Sequence, residues 1–188
     1  MIINIRGTSG SGKTHLVREV MYRAGGYLPV RRARPNGRGL VAGYTFPGRN
    51  LTIIGNYEAT CGGCDKFSWR GAADWVQEFV SEEAGKGRSV IFEGLLVGSW
   101  ALERWRALKR SAELRVVLLS TPLEECLAGV RRRREARGDA RPLDPGSTTR
   151  KHAALLRGAA RHAEAGLSVH SLSRGEALAS VTTWLGLL

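Results

Sequence analysis

The sequence predicts a three-layer α/β fold, a central parallel sheet with helices on both faces. Three observations carry that reading. Apolar, β-branched runs alternate with amphipathic helical segments, as strand–crossover–strand units require. Three of those runs, at 1–6, 89–94 and 114–120, read as buried strands. The first of them leads through a glycine-rich turn, GTSGSG, directly into a helix.

The elements follow in order. MIINIR (1–6) is the first strand, and KTHLVREVMYRA (13–24) is a helix with Leu16, Val20 and Ala24 on one face. VRRARPNGRG (30–39) carries turn residues and reads as a loop. LVAGYTF and LTIIGNY flank the four-residue turn PGRN, which gives a β-hairpin insertion over about 39–57, between the first helix and the sheet. GAADWVQEFVSEEAG (71–85) is helical, with Ala72, Val76, Phe79 and Val80 spaced for one face. SVIFEG (89–94) is a strand, SWALERWRALKR (99–110) a helix and LRVVLLS (114–120) a strand. Pro122 opens a helix that runs through RRRREAR to Gly138. DARPLDPGS (139–147) is a loop and 148–166 a helix. LSVHSL (167–172) is a short strand, and the final helix carries Leu178, Val181 and Leu185. Residues 1–188 read as a single domain.

Composition narrows the function. At 43% hydrophobic and 24% charged, the chain is globular rather than disordered. No apolar run is long enough to span a bilayer, and MIINIRG lacks the features of a secretory signal. No membrane association is expected, and the cytoplasm is the expected compartment. Three cysteines make no disulfide framework. There are 29 basic residues against 17 acidic, a formal charge of +12, and only five of the basic ones are lysine. Such a field attracts polyanions, and the planar guanidinium suits phosphate. A GC-rich genome would also raise Arg, Ala and Gly together. No acidic residue occurs between Glu19 and Glu58, a span holding Arg23, Arg31, Arg32, Arg34, Arg38 and Arg49 among Tyr27, Tyr44, Phe46 and Tyr57. Arginines that track phosphates beside aromatics that stack on bases suit nucleic acid; an ordinary solvated surface would read the same.

Gly7-Thr8-Ser9-Gly10-Ser11-Gly12-Lys13-Thr14 fits G-x-x-x-x-G-K-[ST] between a strand and a helix, the context that gives the motif its meaning. Its backbone N–H groups and the helix N-terminus would cradle the phosphates of ATP. Lys13 would reach the β- and γ-phosphates, and Thr14 would ligate Mg²⁺. The fold class is therefore a P-loop NTPase of nucleoside/nucleotide-kinase type. Glu93 ends a buried strand beside this loop, where an acid can hold Mg²⁺ or orient an attacking hydroxyl; a structural carboxylate is the alternative. Arg131, Arg134 and Arg137 recur at three-residue steps before a loop, so a lid over about 131–147 is expected, with Arg131 and Arg134 stabilising the transferring phosphoryl group. A basic helix surface is the alternative there. The length suits direct phosphoryl transfer by one compact unit.

NIRGTSGSGKT, GNYEATCGGCD and VIFEGLLVGS together resemble the phage P-loop kinases that phosphorylate 5-hydroxymethyluracil in DNA, over most of residues 1–138 in motif order. The resemblance implies ATP as donor and DNA containing 5-hydroxymethyluracil as acceptor, a step in thymidine hypermodification within the host cytoplasm. It places Gly7 to Thr14 on ATP, with Glu93 and the Asp65 loop flanking the acceptor. The residues alone also allow a small-molecule kinase for a nucleoside or nucleotide, or a non-catalytic NTP-binding module. Candidates to orient the acceptor proton are Asp65, Glu93, Glu58 and Asp74, with Asp65 and Glu93 ahead. His15 reads as structural. In CGGCD, one CxxC pair lacks partners at zinc-ligand spacing, so Cys61 and Cys64 read as a pocket wall in which Gly62 and Gly63 allow close backbone approach.

Overall fold

The structure, a computed structural model, describes residues 1–34, 37–59, 61–94, 100–139 and 142–188. Among the described residues seven strands form one sheet: β1 (Ile2–Arg6), β2 (Leu28–Ala33), β3 (Gly39–Phe46), β4 (Leu51–Ile54), β5 (Ser89–Glu93), β6 (Leu114–Leu119) and β7 (Ser168–Leu172). Their spatial order is β2-β3-β4-β5-β1-β6-β7. From β4 to β7 every pairing is parallel, and β2–β3–β4 is an antiparallel extension. The described helices are α1 (Lys13–Ala24), α2 (Ala72–Gly85), α3 (Leu102–Ser111), α4 (Leu123–Glu135), α5 (Pro145–Glu164) and α6 (Arg174–Trp184). None is long and apolar enough to cross a membrane.

Strand alternation divides the core in two. Ile3 and Ile5 of β1 and Ile91 of β5 pack with Leu16, Val17 and Val20 of α1 and Ala177 and Val181 of α6. Ile2, Val90 and Phe92 pack on the opposite face with Trp75, Val76 and Phe79 of α2 and Trp105 and Leu108 of α3. Each such buried side chain contributes about 1.5–3 kcal/mol. Helices on both faces leave the carboxyl ends of the parallel strands as the open crevice.

The structure departs from the sequence reading at several boundaries. Half of the segment read as a loop at 30–39 is strand: β2 pairs with β3. Arg32 explains why. Its guanidinium lies over the rings of Trp75 and Phe79 and pairs with Glu82, so a charged residue fills a half-buried strand position. The hairpin expected over about 39–57 is present as β3 and β4, but it is built into the sheet, because β4 pairs in parallel with β5. α4 ends at Glu135, short of Gly138. α5 begins at Pro145, because Asp144 caps it by accepting from the N–H groups of Gly146 and Ser147. α3 begins at Leu102. Residues 95–99 of the expected strand–helix connection, and residues 140 and 141 of the expected lid, lie outside the described residues.

Candidate active site

Residues 7–12 carry the chain from the end of β1 to the N-terminus of α1. Gly10 has φ 87°, and a Cβ there would stand 2.1 Å from the carbonyl oxygen of Cys126 in α4. Gly129 of the same helix is equally tight, its Cβ position 2.6 Å from the Gly10 carbonyl oxygen. The loop and α4 therefore touch backbone to backbone, which only glycine allows. Other elements brace the loop. Thr121 donates to the Ser11 carbonyl at 3.0 Å, and the Thr8 hydroxyl lies 2.8 Å from His152 Nδ1 in α5. Lys13 is buried, and its Nζ donates to the carbonyls of Gly7 (2.8 Å) and Thr8 (3.3 Å).

A cavity of about 310 Å³ opens in front of this loop. Ser9, Gly10, Gly12, Lys13 and Thr14 form one wall, and Cys61, Gly62, Asp65 and Lys66 another; Glu93 forms the floor, and Arg133 reaches in from α4. Glu93 is 1% exposed and accepts a hydrogen bond from the Thr14 hydroxyl at 3.0 Å. Burial pushes its carboxyl up to about 7, against the opposing pull of Lys13 and the Thr14 bond; the charge of Asp65 adds to the rise.

The segment CGGCD is shaped around that carboxylate. Reciprocal backbone hydrogen bonds between Asn56 and Gly63 close the loop after β4. Gly63, at φ 90°, lies against Glu93, and a Cβ there would meet its carboxylate at 2.6 Å. Asp65 is exposed, its carboxylate 2.8 Å from where a Cβ on Gly94 would stand, so both acids sit by the end of β5. Cys64 is buried beneath, its thiol donating to the Ile54 carbonyl at 3.7 Å, whereas Cys61 faces the cavity and accepts from Arg137 at 3.0 Å. The two cysteines thus do different things: one packs, and one lines the site. Gly63→Ala is expected to lower stability by about 2 kcal/mol or more, because it combines a glycine-only conformation with a clash at a buried carboxylate. Urea unfolding measures it.

The structure brings Lys13, Thr14, Asp65 and Glu93 to one cavity, as the sequence suggested. It does not bring Arg131 or Arg134. Arg131 is exposed, and Arg134 donates to the Pro142 carbonyl at 2.9 Å. The stripe of α4 facing the loop runs through Cys126, Gly129 and Val130, and its continuation at helical spacing reaches Arg133 and Arg137. Arg133 therefore takes the place expected for its neighbours. Glu58 lies outside this cavity, and Asp74, in the first turn of α2, pairs with Arg104. His15, read as structural, is exposed and lines the cavity.

Three further residues have surroundings that the sequence did not indicate. One is His152, on the loop threonine. Another is Arg6, 1% exposed at the end of β1, with Nη1 2.7 Å from His162 Nδ1 and its guanidinium over Trp105. Burial lowers Arg6 to about 10 and His162 to about 4. The third is Tyr57, whose buried hydroxyl has no hydrogen-bond partner among the described residues. Burial and the nearby Glu93 raise its pKa well above the ordinary value. Only the cationic residue inside the apolar strand IINIR, at Arg6, was visible as an anomaly.

Comparison with known proteins adds the following. Residues 2–155 match a family model described as an AAA domain. The chain is 35% identical to the "5-hmdU DNA kinase" of Pseudomonas phage PaMx11, over 96% of its own length and 94% of that protein's. It is 30% identical to the "5-hmdU DNA kinase" of Pseudomonas phage M6, over 82% and 81%. Among solved structures, one from the PezAT toxin–antitoxin system of Streptococcus pneumoniae superposes with a TM-score of 0.58, covering 93% of this chain and 68% of that one at 16% identity. That likeness speaks to the fold alone.

Proposed function

The chain belongs to the AAA-domain family and groups with the phage 5-hmdU DNA kinases, and we propose on that footing that it moves the γ-phosphoryl group of ATP to the hydroxymethyl oxygen of 5-hydroxymethyluracil in DNA, in the host cytoplasm. The observation that carries this reading is the meeting of a complete phosphate loop with two acids of opposite exposure, buried Glu93 and exposed Asp65, at one cavity.

The residues divide the work. The backbone of Gly7 to Thr14 holds the phosphates of ATP, and Lys13 leaves the Gly7 and Thr8 carbonyls to meet the β- and γ-phosphates. The Thr14 hydroxyl and Glu93 carboxylate already touch, and both are hard oxygen donors, a set that suits Mg²⁺ completed by phosphate and water. When bound, the ion neutralises charge on the β- and γ-phosphates. Asp65, on the open side, orients the acceptor and takes its proton. The hydroxymethyl oxygen bonds to the γ-phosphorus, the bond to the β-phosphate oxygen breaks, and ADP leaves with that electron pair. Arg133 stabilises charge on the transferring group. Arg133→Ala is expected to lower kcat about 100-fold, and Arg131→Ala to leave it within about twofold; steady-state kinetics separates them.

DNA as acceptor accounts for the charge of +12 better than a free metabolite does. The hydroxymethyl group of a paired base is open to the major groove, and extruding the base to bring it deep into the cavity costs a few kcal/mol. The test offers γ-labelled ATP with 5-hydroxymethyluracil DNA, ordinary DNA and free nucleosides. Label is expected in the modified DNA alone, falling steeply as salt rises. Label in free nucleosides alone would overturn the reading in favour of a small-molecule kinase.

A further inference from the structure

A second concavity, of about 690 Å³, lies across Tyr57 and Gly62 from the phosphate site. α1 forms one side through Arg18, Met21 and Tyr22, and the antiparallel extension forms the other. Tyr22 is 83% exposed and Tyr27 50%, an unusual outlay of aromatic surface for water to cover. From the rim inward the rings form a ladder. Tyr27 meets Tyr44 edge-on at 5.1 Å, and Tyr44 meets Tyr57 at 6.2 Å. Tyr57 is the shared wall. Its ring lies so close to Gly62 that a Cβ on that glycine would stand 2.4 Å from it, and Gly62 faces the phosphate cavity. Arg18 fixes the partition by donating to the carbonyls of Tyr57 (2.9 Å) and Ala59 (2.6 Å). The trough and the reaction site are thus one loop apart.

The lining decides what the trough takes. The chain between Glu19 and Glu58 has no acid, and Arg31 stands exposed on β2, two residues from Pro29 of the lining, so the surroundings favour a polyanion. The trough itself is aromatic, and the one carboxylate among its described lining residues, Glu58, would repel a phosphate but accept from a base N–H. Phosphates outside and a planar, donor-bearing ring inside describe a nucleotide held by its base. We infer that this trough binds the nucleobase flanking the acceptor nucleotide, stacked on Tyr22 and Tyr27, and so presents the acceptor to the phosphate site. The inference rests on the DNA kinase reading above.

The test measures binding of a fluorescent single-stranded oligonucleotide containing 5-hydroxymethyluracil, by anisotropy, alongside phosphoryl transfer to it. Tyr22→Leu and Tyr27→Leu keep apolar bulk and remove the stacking face; Tyr22→Leu, at a site open to solvent, guards against a folding defect. Together they are expected to weaken binding and raise KM for DNA about tenfold or more, with kcat and KM for ATP within about twofold. Abasic sites beside the acceptor should weaken binding to the wild type by a similar factor and to the double variant hardly at all. DNA affinity unchanged in variants that unfold at the wild-type temperature overturns the inference, and changed self-association in such variants would assign the trough to a second copy instead. An equal abasic penalty in wild type and double variant also overturns it. A wild type that shows the expected binding pattern yet transfers no phosphate sinks the kinase reading and leaves the base site standing.

Discussion

Lys13→Ala is expected to lower kcat about 1000-fold while the protein unfolds within a few degrees of the wild type. The ammonium donates to two backbone carbonyls of its own loop, Gly7 and Thr8. Both carbonyls are buried, but Lys13 itself lines the open cavity, so its removal admits water to them that replaces those bonds. Nothing of comparable charge replaces the ammonium at the phosphates, and an interaction that strengthens as charge builds in the transition state is lost from kcat, not only from KM. Thermal unfolding and single-turnover transfer, measured together, separate the two roles. A large fall in stability with modest loss of rate would make Lys13 a structural brace.

Glu93→Gln should do two opposite things. It should lower kcat about 100-fold or more, through loss of the charge that complements the metal. It should also stabilise the protein at alkaline pH. The folded-state carboxyl sits at about 7 against an ordinary value of 4.5, so the folded state holds its proton more tightly than the unfolded chain. The contribution of Glu93 is therefore most favourable below about pH 4.5, declines as pH rises towards 7, and is fully lost above that. The difference corresponds to about 3 kcal/mol. The amide carries no charge and keeps an oxygen for the Thr14 hydroxyl. The variant should therefore unfold at a higher temperature than the wild type at pH 8, and the gap should close at pH 5. In the wild type, kcat/KM for ATP should fall below about pH 7 as Glu93 takes up its proton, a limb absent from the variant.

Much of this was legible in the chain, and the reasons differ by element. The phosphate loop is local: glycine spacing, a strand before it and a helix after it are sequence facts, and they name Lys13 and Thr14 directly. β5 and β6 are buried on both faces, so their apolar runs are unambiguous. β2 was not legible, because the residue that makes it a strand, Arg32, satisfies its charge on α2, about fifty positions away. The lid arginines illustrate a different limit. Four adjacent arginines look alike in sequence, and the choice of Arg133 depends on which face of α4 meets Gly10, fixed by the close approach of Gly129. The pairing of Asp65 with Glu93 was half visible. CGGCD offered the acid and the permissive glycines, but only the reciprocal Asn56–Gly63 backbone hydrogen bonds lay Gly63 against the Glu93 carboxylate. Tyr57 was legible only as one more aromatic of the arginine-rich span; the burial of its hydroxyl was not.

The most direct measurement digests DNA containing 5-hydroxymethyluracil to nucleosides, after incubation with the protein, ATP and Mg²⁺, and weighs the products by mass spectrometry. The expected result is conversion of 5-hydroxymethyldeoxyuridine to its phosphomonoester on the base, lost in Lys13→Ala and strongly reduced in Glu93→Gln. Unchanged 5-hydroxymethyldeoxyuridine, or phosphate found only at DNA ends, would contradict the account.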